Sequence, residues 1–404
     1  MKMKQYTRNI YNKYIKRYVP QSLLRRLRAS DSICYPIIKN PKELFELVYH
    51  IKDATWEQVD VPDVYRMYRS WSIEQYHPEQ DILRIDDCYI SNNSDIIVTP
   101  QGVVWDKFYS DIISKTIPMD SDLFQYNRDE VYARKLTCVD NIQGSSVSLI
   151  GVYAHGWSHF IVQFLPKLYY AEKAGLLDKD ITVLMPTYTD PQVIEIVDNV
   201  FKKHPLAKKY IVPKDSGRSS IHCERLYYIP TSSTLINNSK SQAPMDIVIP
   251  RQVVDLLIEN MVKPIVEKIK NNPVKHEKIY LSRKNWRSLT NSDEVEQYFE
   301  KEGFFFVEPH KLTLEEKIEL FYHARVIVGS HSSAWTNILI CENVKGLMFT
   351  PFGRIVDLYF GYFAAPNNNQ IMMITGEDCT YSANTDYYIP LDKIKAAYHQ
   401  LLEN

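Results

Sequence analysis

Residues 325–337 read Arg325-Val326-Ile327-Val328-Gly329-Ser330-His331-Ser332-Ser333-Ala334-Trp335-Thr336-Asn337, and their reading decides the fold class. A β-branched run, Val326 to Val328, stops at Gly329. Ser330, His331, Ser332 and Ser333 follow, and a helix is expected from Ala334 to Cys341. A strand, a tight turn and a helix start, in that order, form one unit of a parallel α/β sheet. At such a junction unpaired backbone N–H groups and the positive end of the helix dipole face any anion beyond the strand. The stretch therefore predicts a site for a phosphate-bearing ligand held without a metal.

Working outward, the flanking sequence repeats the same alternation. Lys278–Ser282 has the pattern of a short strand, and a helix is expected over Ser292–Glu302, opened by Asn291 with Glu294 and closed by Gly303. Phe304–Val307 reads as a buried strand. Thr313-Leu314-Glu315-Glu316 is a capping box, with Leu314, Ile318 and Phe321 on one face of the helix it opens. Gly346–Thr350 supplies another strand. In the first half, residues 89–105 read as a hairpin or meander, a helix is expected from Ser158 to Ala174 with Gly175 as its C′ residue, and strands are expected at Ile181–Met185 and Arg225–Ile229. The polar stretch Thr231–Ala243 is read as a linker, followed by a long helix over Arg251–Lys270. These elements divide the chain into a basic amphipathic segment (1–30), an N-terminal α/β domain (31–243), a C-terminal α/β domain (244–385) and a C-terminal helix (386–404).

A chain of 404 residues is long enough for two such domains. With 45% apolar and 24% charged residues it has the composition of a soluble globular protein. A net charge of −1 argues against general nucleic-acid binding. The 29 tyrosines offer stacking surfaces for sugars, although packing accounts for most tyrosines in any protein. Cys34, Cys88, Cys138, Cys223, Cys341 and Cys379 contain no CxxC pair, so neither a zinc site nor a disulfide framework is indicated. No apolar run is long enough to span a bilayer, and Met1–Ser30 lacks the apolar core of a secretory signal, so a cytoplasmic setting is expected. That segment carries nine Lys or Arg residues and no acid. Ile10, Tyr11, Tyr14, Ile15 and Tyr18 recur at helical spacing, which suits either peripheral contact of residues 1–28 with an anionic membrane surface or a solvated helix packed on the body.

Ligands of parallel sheets bind beyond the carboxyl ends of the strands. Three segments leave such ends: Ser282-Arg283-Lys284-Asn285-Trp286-Arg287, Glu308-Pro309-His310, and the turn after Val328. Alone, the first is a cationic surface loop and His331 a histidine capping its own turn. Placed together they form a cleft in which Arg283, Lys284 and Arg287 suit a diphosphate, because the guanidinium fork makes paired, charge-assisted hydrogen bonds. Glu308 then faces ribose hydroxyls or a base edge, and Ser330, His331, Ser332, Ser333, Thr336 and Asn337 complete the pocket. In the first half His155, Gly156, Trp157 and His159 crowd one helix start, and His159, Gln163 and Lys167 fall on one helix face. Asp120-Ser121-Asp122 spells a metal-binding DxD, a match short enough to arise by chance and without a clear strand-end context.

Taken in order, these segments resemble glycosyltransferase family 61, the capsular polysaccharide biosynthesis proteins and their eukaryotic relatives. The resemblance rests on Ile279-Tyr280-Leu281-Ser282-Arg283-Lys284, Asn291 with Glu294, Gly303-Phe304, Val307-Glu308-Pro309, Leu312-Thr313-Leu314-Glu315-Glu316-Lys317, and Ala324 through Asn337. Upstream it rests on Ser158-His159-Phe160-Ile161-Val162-Gln163-Phe164-Leu165-Pro166-Lys167-Leu168. It covers about residues 150–350 and implies an α/β, GT-B-like architecture, two Rossmann-like domains facing a cleft, with the donor mainly on the C-terminal domain. It also implies an inverting transferase that uses a UDP- or CMP-linked sugar and no metal or other cofactor, at the cytoplasmic face of the membrane. The acceptor would be a bacterial surface glycan of capsule or lipopolysaccharide, lipid-linked or growing.

Two positions depart from the family pattern. Its glycine-rich turn is here His331-Ser332-Ser333-Ala334, and its upstream acid is Gln163. An amide cannot act as general base, so either His159 or His155 takes that role, an acid elsewhere does, or the activity is altered; His159 is the residue favoured here. The other readings are a non-catalytic glycan- or nucleotide-binding protein and a different GT-B-like polysaccharide-modifying enzyme such as a pyruvyl transferase.

Overall fold

Two large sheets organise the computed structural model, which describes residues 32–60, 62–67, 72–91, 94–105, 123–126, 129–187, 190–212, 219–233, 249–283, 287–352, 360–376 and 386–403. The basic segment 1–30, Asp120–Asp122, Lys284 and the greater part of the expected linker lie outside these residues. The first sheet contains β1 (Gln80–Ser91), β2 (Ile96–Thr99), β3 (Gly102–Trp105), β4 (Thr137–Ser148), β5 (Ile181–Met185), β6 (Ala207–Ile211) and β7 (Ser219–Tyr228) in the order β6-β5-β4-β7-β1-β2-β3, with Glu46–Lys52 also pairing to β1. Strands β4 to β7 are parallel, and β1, β2 and β3 form the expected antiparallel meander.

The second sheet is parallel throughout. It contains β8 (Lys278–Leu281), β9 (Phe305–Val307), β10 (Val326–Ser330), β11 (Lys345–Thr350) and β12 (Gln370–Thr375), in the order β9-β8-β10-β11-β12. Asp63–Val64, far upstream in sequence, adds to its edge beside β12. From β8 the chain steps first to one side, to β9, and then returns to the other side, to β10. The carboxyl ends of β8 and β10 therefore flank a topological switch point, where open α/β sheets leave a crevice.

Helices flank the two sheets, and those that bear on the site are as follows. Trp157–His159 and Leu165–Lys173, joined by a π turn at Phe160–Phe164, make α1. Pro191–Phe201 is α2. Arg251–Leu257 and Lys263–Ile269, again joined by a π turn, make α3. Ser292–Lys301, Leu314–His323 and Leu391–Glu403 are α4, α5 and α6. Both π turns precede a proline. Pro166 and Pro264 have no N–H, and each ring would clash with the carbonyl four residues back. Widening the turn relieves this, and the residue before each proline bonds five back, Leu165 N–H to Phe160 O and Lys263 N–H to Ile258 O.

Strand periodicity divides the core. Ile279, Leu281 and Ile327 join the cluster that holds α1, α2 and α3, whereas Tyr280, Val326 and Val328 join the cluster under α4 and α6. The first cluster also takes Val147, Val183 and Met185 from β4 and β5, so one continuous apolar layer lies between the two sheets. The capping box at α5 forms as expected: Thr313 Oγ1 accepts from Glu316 N–H, and the Glu316 carboxylate accepts from Thr313 N–H. Asn291 does not cap α4 and instead donates to Ile389 O at 3.0 Å. Thr231–Ser233, expected to open a linker, is buried.

The turn after β10 differs from expectation in two respects. Gly329 does not end the strand: it keeps the parallel register with Leu281 and Met348, and pairing runs on to Ser330. The glycine is needed for two other reasons: its φ of 155° is one that L side chains rarely adopt, and a Cβ there would lie 2.6 Å from Leu281 O and 2.7 Å from Leu281 Cβ. Gly329→Ala is expected to cost about 1–3 kcal/mol, the range for overpacking a core, read as a lower urea midpoint with an unchanged slope. The following helix is also 3-10 rather than α, over Ser333–Ile340. Trp335 through Ile340 are all buried, and three successive side chains are pinned: Trp335 Nε1 to Ser330 O, Thr336 Oγ1 to Ser158 Oγ and Asn337 Nδ2 to Ala334 O. The tighter three-residue turn meets these restraints.

Candidate functional site

The switch point opens into a cavity of about 350 Å³ lined by residues of both halves of the chain. Ser282 and Arg283 enter from the end of β8, Glu308, Pro309 and His310 from the end of β9, and Ser332, Ser333, Ala334 and Asn337 from the turn after β10. Trp157 at the start of α1, Asp190 ahead of α2 and Lys317 on α5 close the opposite side. The three strand-end segments singled out in the sequence do converge.

Arg283 Nη1 donates to His331 O at 2.8 Å, tying the loop after β8 to the turn after β10. Behind them Tyr387 donates to Phe349 O at 2.9 Å. Burial raises its phenol, against a hydrogen bond with Ser330 and the nearby charges of Arg283 and Arg287. At the other rim Glu308 Oε1 lies 2.7 Å from Lys311 Nζ and Oε2 lies 3.7 Å from His310 Nε2. The extended Ser332 precedes the 3-10 helix, whose first N–H groups have no partner within that helix.

Other expected site residues do not line the cavity. Ser330 and His331 are buried beneath it, the His331 ring edge-on to Phe360 with centroids 5.4 Å apart. Thr336 is buried against Ser158 at 2.6 Å. Arg287, with φ of 57°, sits near Tyr387. Gln163 Nε2 donates to Ser233 O at 3.2 Å, and its Oε1 is 2.9 Å from His159 Nδ1. Tyr153 stacks on His159 at 4.9 Å and lies 6.4 Å from the His155 ring. Neither histidine is among the lining residues. Lys167 lies beside a separate small cavity with Asp95 and Ser148.

Three lining residues were not recognised from sequence. Trp157 was seen only as part of a crowded helix start. Asp190 accepts from Gln192 N–H at 2.9 Å as the N-cap of α2, and Asp-Pro reads as nothing more than a cap. Lys317 did leave a signal: it occupies the apolar face of α5 with Leu314, Ile318 and Phe321, where a lysine is out of place.

Residues 157–348 match the protein-family model described as Glycosyltransferase 61. The match begins at Trp157 and ends in β11, so it takes in every lining residue of the cavity. No curated protein matches the chain significantly.

Proposed function

We propose, from the match of residues 157–348 to the Glycosyltransferase 61 model, that the chain is a glycosyltransferase of that family and moves a sugar from a nucleotide-sugar donor to a glycan by inversion and without a metal. The cavity at the β8/β10 switch point carries this reading. Arg283 and the first N–H groups of the 3-10 helix suit the donor diphosphate, and Glu308 suits a ribose or base edge. Inversion needs a base for the acceptor hydroxyl and an electrophilic pocket for the departing nucleoside diphosphate. His159, held by Gln163, is the proposed base, with the acceptor on the side of the first sheet in a GT-B-like arrangement. A UDP- or CMP-linked donor and a capsule or lipopolysaccharide acceptor at the cytoplasmic face complete the proposal, with residues 1–28 resting on anionic lipid.

The test is a thermal-shift and turnover panel with UDP-, CMP-, GDP- and ADP-linked sugars. One donor class is expected to raise Tm, since a ligand at 100 times its Kd stabilises by about 2.7 kcal/mol, and to be hydrolysed slowly without acceptor. A panel with neither stabilisation nor hydrolysis nor transfer to a native glycan sinks the proposal. A second reading, a non-catalytic nucleotide or glycan binder, draws support from Gln163 in the acidic position and from the absence of both histidines from the cavity lining. It expects stabilisation without turnover.

A further inference from the structure

Lys317 is the feature of this cavity that the donor reading leaves unused. It is 2% exposed and lines the cavity. Nζ sits 3.4 Å from the centroid of the Trp157 ring and donates to the Gln192 side-chain carbonyl. Gln192 in turn donates to Pro309 O at 3.0 Å and to Leu312 O. The ammonium has three donors, and an indole face and a neutral amide are weak substitutes for water around a charge. Asp190 is the carboxylate acting on it, and Arg283, Glu308 and His310 share the cavity.

We propose that Lys317 is a donor-contacting residue, whose ammonium turns from Gln192 and Trp157 to the phosphate oxygens when a nucleoside diphosphate enters. The inference rests on the donor reading of the cavity. Arg283 approaches from the end of β8 and Lys317 from α5, so a diphosphate between them is held by a planar fork on one side and a point charge on the other. In that position Lys317 also meets the charge that develops as the sugar–phosphate bond breaks.

A consequence separates this role from simple packing. Burial pushes the Lys317 ammonium down to about 8, opposed by the Asp190 charge. A bound diphosphate favours the charged form and raises that value. Below pH 8 the lysine is charged before and after binding. Above pH 8 the empty cavity holds a neutral amine, and binding must draw in a proton. Affinity is thus fully present below pH 8 and weakens above it, by about fivefold between pH 8 and 9. The diphosphate does not confuse the reading, because its last ionisation, at about 6 by analogy with phosphate monoesters, is complete there. Lys52, which burial also pushes to about 8, interacts with Glu57 and does not line this cavity.

The experiment is calorimetric titration of the full chain with UDP, GDP and ADP at pH 7.5 and 8.5, each in two buffers of different ionisation enthalpy. The nucleotide that binds wild type is expected to take up most of a proton at pH 8.5 and much less at pH 7.5. In Lys317→Met the uptake is lost and affinity at pH 7.5 falls at least tenfold; in Lys317→Arg affinity recovers without uptake. Binding to wild type with no uptake at pH 8.5, or uptake that survives in Lys317→Met, overturns the inference while the donor reading stands. If no nucleotide binds wild type, the donor reading itself fails. Should Lys317→Met not fold, the wild-type uptake decides alone.

Discussion

Alanine at position 159 is expected to lower kcat by about 10²–10⁴-fold, the range for a positioned acid–base group, while nucleotide binding persists. The hydrogen-bond chain behind His159 sets up this result. Ser233 O can only accept, so the Gln163 amide must turn its Nε2 toward it. That leaves Gln163 Oε1, an acceptor, facing His159 Nδ1 at 2.9 Å. Nδ1 therefore carries the proton in the neutral ring, and the lone pair falls on Nε2. Tyr153, stacked at 4.9 Å, holds the ring plane. The amide thus supplies orientation without charge, where a carboxylate would supply both. Gln163→Glu tests the distinction: a carboxylate stabilises the imidazolium, so the acidic limb of the kcat/KM profile should move to higher pH, with slower turnover near pH 6 and little change near pH 8.5. Steady-state donor hydrolysis measures both variants. Full activity in His159→Ala would remove it from the mechanism and make Asp190, already in the cavity wall, the next acid to replace.

The second sheet was legible because its signals are local and agree with one another. The β-branched run before Gly329, the Thr313–Glu316 box and the C′ glycine Gly303, at φ 80°, each act within a few residues. What escaped the sequence depends on partners distant along the chain. Gly329 looked like a strand breaker, yet it is required by the Leu281 backbone on the neighbouring strand. The 3-10 form of Ser333–Ile340 accompanies a bond from Thr336 to Ser158, well over a hundred residues away. Neither the π turns nor the addition of Asp63–Val64 to the edge beyond β12 was anticipated, although Pro166 and Pro264 were visible causes of the former.

The site divides the same way. Strand-end position in the sequence is enough to bring Arg283, Glu308, Ser332, Ser333 and Asn337 to one cavity, because a parallel sheet leaves its ligand there. Type of residue alone misplaced others: Ser330 and Thr336 have the hydroxyls a phosphate pocket uses, but spend them on Tyr387 and Ser158 beneath the surface. Conversely, Trp157, Asp190 and Lys317 come from three helix segments whose convergence only tertiary packing defines.

Arg283→Ala is expected to have the other large effect, because one side chain serves two bonds. Its Nη1 holds His331 O at 2.8 Å, and the side chain also lines the cavity in which the donor diphosphate is proposed to sit. Loss of a hydrogen bond to a charged group costs about 1.5–3 kcal/mol, so nucleotide affinity should fall roughly ten- to a hundredfold. kcat/KM should fall further, by about 10²–10³, if the guanidinium also meets charge developing on the leaving diphosphate. Arg283→Lys discriminates the roles. A lysine keeps the charge but has no planar fork, so it can serve His331 O or the phosphate in good geometry, not both. The expected order of kcat/KM is wild type, then Lys, then Ala, with the nucleotide-induced rise in Tm falling in the same order. Were Arg283 only a brace for the turn, both variants would melt lower without ligand, and the rise in Tm on adding nucleotide would survive in each. The ligand-induced difference, rather than the starting Tm, is thus the quantity that assigns Arg283 to the donor.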